Sequence, residues 1–271
     1  MRYTEIRPSA ALARYVKCFW TLEASPASCE SAPEPVMPDG SIELIFNFAD
    51  PFRRHYADGS VEAQPRSIIA GQMRGFAVIE ASGAIDLFGV RFRHAGASPF
   101  FRFPINELTD QIPDLSFAWG KMERDTEVRL QDAASTRERV RIIEEVLFGF
   151  LERDGASDGM VEAAAGLIAR NSGLIPIESL ANSMGVNGRR LERRFQQKLG
   201  LSPKRFSRII RFQGFLAAVG GGKESILDTA LSFGYYDQAH LIREFREFSG
   251  KTPTAFFESE HKLSEVFIAA A

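Results

Sequence analysis

The stretch Leu191-Glu-Arg-Arg-Phe195, followed by Gly200-Leu-Ser-Pro203, decides the fold of this chain because it occurs twice. The second copy reads Leu241-Ile-Arg-Glu-Phe245 and Gly250-Lys-Thr-Pro253. In both copies nine residues lead from the leucine to the glycine, and three lead from the glycine to the proline. Ahead of the two copies stand Leu180-Ala-Asn-Ser-Met-Gly185 and Thr229-Ala-Leu-Ser-Phe-Gly234. A short helix, a tight turn and a longer helix, present twice, predict two helix-turn-helix units.

Each unit has a physical reason for its pattern. A glycine between two helices permits a turn that a side chain would obstruct. Leu191 and Phe195 lie four residues apart and therefore share one face of a helix, which predicts that they pack on the preceding helix. Arg193 then points away from that face, and Arg243 does so in the second copy. This is the direction that a residue reading the major groove of DNA requires.

The charge of the chain is unevenly distributed. The formal net charge is −2, but residues 1–157 carry −5 and residues 158–258 carry +4. Between residues 188 and 211 there are nine basic residues and one acidic residue, Glu192. A basic segment within an acidic protein is either a solvated helix face or a surface that attracts a polyanion.

The pattern of apolar residues divides the chain into domains. Residues 1–115 predict a β-rich sandwich or small barrel, with strands at Ser41–Phe48, Ser67–Ala70, Phe76–Glu80 and Ile85–Arg93. Residues 116–157 predict a helical linker region. Residues 158–258 predict about seven helices, and 259–271 form a tail. The fold class expected is therefore α+β, with an all-α C-terminal domain in which Pro203–Val219 forms a long connecting helix.

One predicted helix leaves two arrangements open. A capping box at Ser135-Thr-Arg-Glu138 opens a helix whose apolar face runs through residues 140–150. This face packs either on its own domain or on a second copy of the chain, which would make a homodimer.

The composition excludes several classes of protein. The chain has 271 residues, of which 45% are hydrophobic, and it contains no run near the roughly 18 apolar residues of a membrane span. Its first residues lack an apolar signal core, so we expect a soluble, cytoplasmic protein with no membrane contact. Cys18 and Cys29 provide neither a disulfide framework nor a metal site. We expect no metal, no cofactor and no catalytic residue, since nucleotide-binding and hydrolase motifs are missing.

Residues 160–258 resemble the C-terminal DNA-binding domain of the AraC/XylS family of transcription regulators. The resemblance rests on the motifs above and most of all on Asp237-Gln-Ala-His-Leu-Ile-Arg-Glu-Phe-Arg246. It implies a sequence-specific regulator, not an enzyme, with two recognition helices in successive major-groove segments. The partners implied are double-stranded DNA, RNA polymerase and a small-molecule effector.

The resemblance also implies which residues contact DNA. The candidates for reading bases are Arg189, Glu192, Arg193, Gln196, Gln238, Ala239, Ile242, Arg243 and Arg246. The candidates for contacting phosphates are Arg190, Lys198, Lys204, Arg205, Arg208 and His240. Glu192 has a second interpretation as an ion-pair partner of Arg189 or Arg193, and His240 as a packing residue.

The N-terminal half is less informative. Residues 12–115 resemble an uncharacterised domain found ahead of AraC-type modules, on the basis of Phe19-Trp20, the segment Pro38–Phe46 and Gly71-Gln72. In the family such a domain binds an effector or forms the dimer. The aromatic residues either line a pocket or form the core: Phe19, Trp20, Phe46, Phe48 and Phe92. Two other classes remain, namely an enzyme tethered to DNA and a ligand-binding protein whose DNA-binding module has degenerated.

Overall fold

The N-terminal domain is a sandwich of two antiparallel sheets. The computed structural model describes residues 1–26, 32–154, 158–220 and 225–258. The first sheet has the order β1-β2-β9-β4-β7 and the second has the order β3-β8-β5-β6. The strands are β1 Arg2–Ile6, β2 Val16–Ala24, β3 Glu34–Val36, β4 Glu43–Asn47, β5 Phe52–His55, β6 Val61–Ala63, β7 Ser67–Ala70, β8 Ala77–Ala81 and β9 Ile85–Phe92. The β-sandwich expected from the sequence is therefore confirmed.

Helices cover one face of the first sheet and make a third layer. The helices are α1 Ser116–Trp119, α2 Lys121–Gln131 and α3 Thr136–Asp154. Phe88 and Phe46 of the sheet share a core with Ile143 and Leu147 of α3, and all four side chains are fully buried. The apolar face of α3 thus packs on its own domain, which is the first of the two arrangements left open by the sequence. The homodimer stays a prediction. The segment predicted as a linker region is helical and completes the N-terminal domain.

The other face of the first sheet packs on the second sheet. Trp20 and Leu22 of β2 lie with Leu87 of β9 in this second core, together with Phe52 of β5. The register places Trp20 opposite Gly89. A β-carbon built at Gly89 would lie 2.0 Å from the Trp20 ring, so only glycine lets the indole lie flat across β9.

The C-terminal domain is helical throughout the described residues. Its helices are α4 Gly159–Arg170, α5 Ile177–Ser183, α6 Gly188–Leu199, α7 Pro203–Gly220, α8 Ile226–Ser232, α9 Gln238–Ser249 and α10 Pro253–Phe257. One core joins them around Phe195, Phe212, Phe215 and Phe245, whose side chains are fully buried. The predicted run of about seven helices is confirmed for this part of the chain. Three parts of the sequence interpretation lie outside the described residues: Cys29, residues 155–157 at the predicted domain boundary, and the tail 259–271.

Gly214 lies within α7, where the sequence alone suggests a weak point in the connecting helix. A β-carbon at this position would lie 2.7 Å from the Phe233 ring. The glycine therefore lets α8 approach α7 closely, and the packing of Phe233 supports the helix that the glycine would otherwise weaken.

Candidate nucleic-acid interface

The two helix-turn-helix units are α5–α6 and α8–α9. The second helix of each unit has 12 residues and begins at an equivalent cap. The Asn187 side chain accepts a hydrogen bond from the backbone N–H of Arg190 at 2.8 Å, and Asp237 accepts one from His240 at 2.7 Å. The turns contain Gly185 and Gly234 with φ of +65° and +73°, a region that favours glycine. The repeat read from the sequence is thus a repeat of structure.

The outer face of α6 is open to solvent while the N-terminal domain is in place. Arg189, Glu192, Arg193 and Gln196 are all exposed. Leu191 and Phe195 on the opposite face are fully buried. In the described part of the chain, no carboxylate forms an ion pair with Arg189 or Arg193, so the ion-pair interpretation of Glu192 is not supported. These four side chains, two of them basic and one acidic, form an exposed polar face along the first three turns of α6.

Helix α9 presents an equivalent face with less charge. Gln238, Ala239, Arg243 and Arg246 are exposed, and Ile242 is half-buried. Arg243 occupies the position of Arg193 in the repeat, and within the described ranges no acidic partner is found for it or for Arg246. Helices α6 and α9 therefore carry an exposed arginine without an acidic partner at equivalent positions.

The phosphate candidates divide into two groups. Arg190 and Lys204 are exposed, and Lys198 is half-buried beside the loop that contains Arg102. His240 is half-buried and stacks on Tyr236 with ring centroids 5.7 Å apart, which agrees with the packing interpretation. Arg205 and Arg208 bind Glu247 of α9, and their contact with phosphates stays a prediction.

A buried carboxylate explains this difference. Glu244 of α9 has a side chain that is 1% exposed. It accepts hydrogen bonds from Arg208 Nε at 2.7 Å, from Arg211 Nη2 at 2.8 Å and from the Tyr235 hydroxyl at 2.9 Å. The acceptor contact and the burial raise the pKa of Tyr235. The cluster fixes the second recognition helix on the connecting helix, and sequence reasoning missed it.

The N-terminal domain contacts both units at equivalent positions. The Thr109 hydroxyl donates a hydrogen bond of 2.6 Å to the carbonyl of Gly200, the residue that ends α6. The Phe76 ring packs closely on Gly250, the residue that ends α9. A β-carbon at position 250 would lie 2.7 Å from the Phe76 ring. Both contacts are at the far ends of the recognition helices, which leaves their first turns exposed.

A cavity lies between the two sheets of the N-terminal domain. The centres of water-sized spheres occupy about 120 Å³ of it. Its walls are mostly aliphatic, with contributions from both sheets, and the polar lining consists of Asp39, Ser41, Glu43, Gln64, Arg91 and Gln213. Gln213 belongs to α7, and its Nε2 donates a 2.7 Å hydrogen bond to the carbonyl of Pro38. The connecting helix of the C-terminal domain thus closes one side of the cavity.

The other candidate groups of the N-terminal domain have structural roles. Phe19, Phe46 and Phe92 are fully buried in the core and do not line the cavity. Burial raises the pKa of the Cys18 thiol to about 12, which makes it a core thiol. His55 binds Glu80 at 2.9 Å.

In the described ranges no group of three or more potential metal ligands lies together. No helix there is long and apolar enough to cross a membrane.

Comparison with known proteins identifies two domains. Residues 180–259 match the family described as helix-turn-helix domain, and residues 4–114 match a family described as a domain of unknown function. An uncharacterized helix-turn-helix transcriptional regulator of Haemophilus influenzae is 31% identical over 83 residues. That alignment spans 31% of this chain and 28% of the relative.

The matches among solved structures have low sequence identity. ToxT from Vibrio cholerae matches with a TM-score of 0.48 and 10% identity, covering 92% of this chain and 98% of ToxT. A ToxT structure with bound unsaturated fatty acid matches with a TM-score of 0.47 and 9% identity, covering 87% and 92%. The AraC-like activator CuxR matches with a TM-score of 0.25 and 15% identity, covering 75% and 74%.

The matched relative bears the name of a transcriptional regulator. The match of residues 180–259 to a helix-turn-helix domain agrees with the two helix-turn-helix units of the structure.

Proposed function

We propose that this protein is a transcription regulator that reads two successive major-groove segments with α6 and α9. The observation that carries the proposal is the pair Arg193 and Arg243. They are exposed, lack acidic partners in the described residues and stand at equivalent positions of two capped helices. Arginine in the major groove binds the O6 and N7 atoms of guanine with two hydrogen bonds. The two helices are joined by α7, and the proposal requires that these arginines enter the DNA from one side of the domain.

The remaining exposed side chains fit defined roles in this complex. Gln196 and Gln238 suit adenine, and Glu192 suits the amino group of cytosine. Arg190 and Lys204 stand beside the reading face and suit phosphates, which position the protein without specifying sequence.

The experiment is a salt-dependent DNA titration of the full chain by fluorescence anisotropy. The duplexes come from the region upstream of the gene and are compared with scrambled duplexes. We expect a steep salt dependence and a preference for one upstream duplex. Arg193→Ala and Arg243→Ala should each weaken that binding by about 1–3 kcal/mol.

Two further variants separate sequence reading from charge. Lys204→Ala should weaken all duplexes alike and reduce the salt slope by about one. Arg137→Ala removes an exposed arginine of α3, far from the proposed interface, and should leave the affinity unchanged. If Arg193→Ala and Arg243→Ala bind an identified operator as tightly as the parent, the assignment of the reading face is refuted.

We infer that the cavity between the sheets binds the effector of this regulator. It is lined by aliphatic side chains with a small number of polar groups, which is the usual composition of a small-molecule site. Gln213 reaches it from α7, the helix that joins the two units. A ligand in the cavity therefore touches the element that sets the distance between the recognition helices.

A further inference from the structure

The polar wall of the effector cavity holds more negative than positive groups. Asp39, Glu43 and Arg91 line it, and they are the only ionisable residues among its lining residues. Arg91 is 1% exposed and forms an ion pair with Glu43 through its Nε. The Asp39 carboxylate lies 4.0 Å from that same Nε, and Glu5 lies 3.8 Å from another guanidinium nitrogen. Three carboxylates thus surround one buried arginine.

The neighbouring basic groups do not reverse this balance. Lys17 and His94 lie near Asp39 without lining the cavity. Burial lowers the pKa of His94, which keeps its ring neutral, and its Nδ1 lies 3.1 Å from the carbonyl of Gly40. Burial raises the pKa of Glu43, and the adjacent Arg91 guanidinium opposes this rise. A ligand carboxylate in this cavity would meet the carboxyl groups of Asp39 and Glu43 and an arginine that already has a partner.

We propose that the ligand is an organic cation, an amine with an apolar body, whose ammonium group lies beside Asp39 and Glu43. This inference rests on the proposed effector role of the cavity and adds the chemical class of the ligand. The aliphatic walls formed by residues such as Ile45, Ile68 and Ile79 bury the apolar body. The ammonium group donates to the carboxylates, so that its burial is compensated by charge and by hydrogen bonds.

The test uses three probes with the same six-carbon body: n-hexylamine, n-hexanol and n-hexanoate. Each is titrated into the full chain at neutral pH by isothermal calorimetry. We expect n-hexylamine to bind about tenfold or more tightly than n-hexanoate, with n-hexanol between them. Equal or tighter binding of n-hexanoate, or no binding of any of the three, would overturn the proposal.

A matched pair of variants locates the binding. In the structure an Asp39 oxygen accepts a hydrogen bond of 2.8 Å from the backbone N–H of Ser41. Asp39→Asn removes the charge but keeps an oxygen that can accept this bond. Asp58 accepts the N–H of Ser60 in the same way at 2.9 Å, on an exposed turn away from the cavity. Asp39→Asn should weaken n-hexylamine about tenfold, whereas Asp58→Asn should leave the affinity unchanged. If the two variants bind the amine equally, Asp39 does not hold the ammonium group.

A DNA titration without any of the three probes tests the regulator function independently of amine binding. Operator binding together with no amine binding refutes the ligand class alone. Amine binding by a chain that does not discriminate between duplexes refutes the regulator and leaves the cavity assignment intact.

Discussion

Replacement of Glu244 by alanine should destabilise the helical domain far more than replacement of its neighbour Glu247. Both carboxylates belong to α9 and both bind Arg208 of α7. The side chain of Glu244 is 1% exposed, whereas that of Glu247 is 40% exposed. The two variants therefore compare a buried and a solvated ion pair on the same helix with the same partner.

The contacts set the size of the effect. Glu244→Ala leaves Arg208, Arg211 and the Tyr235 hydroxyl without their common acceptor. Loss of one partner of a buried ion pair costs about 3–5 kcal/mol. The side chains of Arg208 and Arg211 are 28% and 15% exposed, so water partly solvates them in the variant. We therefore expect the loss of unfolding free energy to lie at the lower limit, about 3 kcal/mol. Glu247→Ala should cost about 1 kcal/mol or less, because water and salt screen an exposed pair.

Urea unfolding of the full chain separates the domains. Both tryptophans of the chain, Trp20 and Trp119, belong to the N-terminal domain, so their fluorescence reports the sandwich and its helices. Circular dichroism at the helix band reports the C-terminal helices as well. We expect Glu244→Ala to shift the dichroism transition to lower urea with a smaller change in fluorescence. Equal destabilisation by Glu244→Ala and Glu247→Ala would refute the reasoning.

Three further predictions concern the sandwich and its cavity. Gly89→Ala places a methyl group against the Trp20 ring and should lower the free energy of unfolding by about 3 kcal/mol or more. In the control Gly149→Ala, in α3, the new methyl group meets nothing, so the free energy of unfolding should stay the same or rise. Equal changes in the two variants would contradict the packing of Trp20 on Gly89. Burial lowers the pKa of His94 below its ordinary value of about 6.5. The free energy of unfolding should therefore fall as the pH drops below about 6.5, and His94→Gln should make this fall smaller. Gln213→Met should still bind n-hexylamine, but the amine should no longer change the affinity of the protein for DNA. If n-hexylamine changes the DNA affinity of the variant and of the parent equally in the anisotropy assay, α7 does not transmit ligand binding through this side chain.

The sequence predicts most of what depends on local pattern. The duplicated leucine and phenylalanine positions predict both helices α6 and α9, which begin at the caps Asn187 and Asp237 in the structure. Alternating apolar residues identify β4 and β9, since these strands are central and buried. The strand Phe52–His55 was missed because it carries Arg-Arg-His on the less buried second sheet, where no alternation appears.

Contacts between distant segments were not predictable in the same way. The resemblance implied that Arg205 and Arg208 contact phosphates. In the structure they pair with glutamates about forty residues further on, in α9. One signal was available. Arginines at 205, 208 and 211 and glutamates at 244 and 247 recur every three residues, a spacing that allows two packed helices to pair. The cavity gave no signal, because its lining comes from strands that only the sheet order brings together.

The contacts at Gly200 and Gly250 have a consequence for the operators that such a regulator accepts. Because Thr109 and Phe76 hold the ends of both recognition helices, the distance between the two reading surfaces is set by a second domain as well as by α7. Two DNA segments separated by one base pair more or less are rotated and translated relative to each other. A regulator braced at both ends tolerates such an insertion poorly, so its binding sites should vary in sequence at unread positions while keeping one fixed spacing.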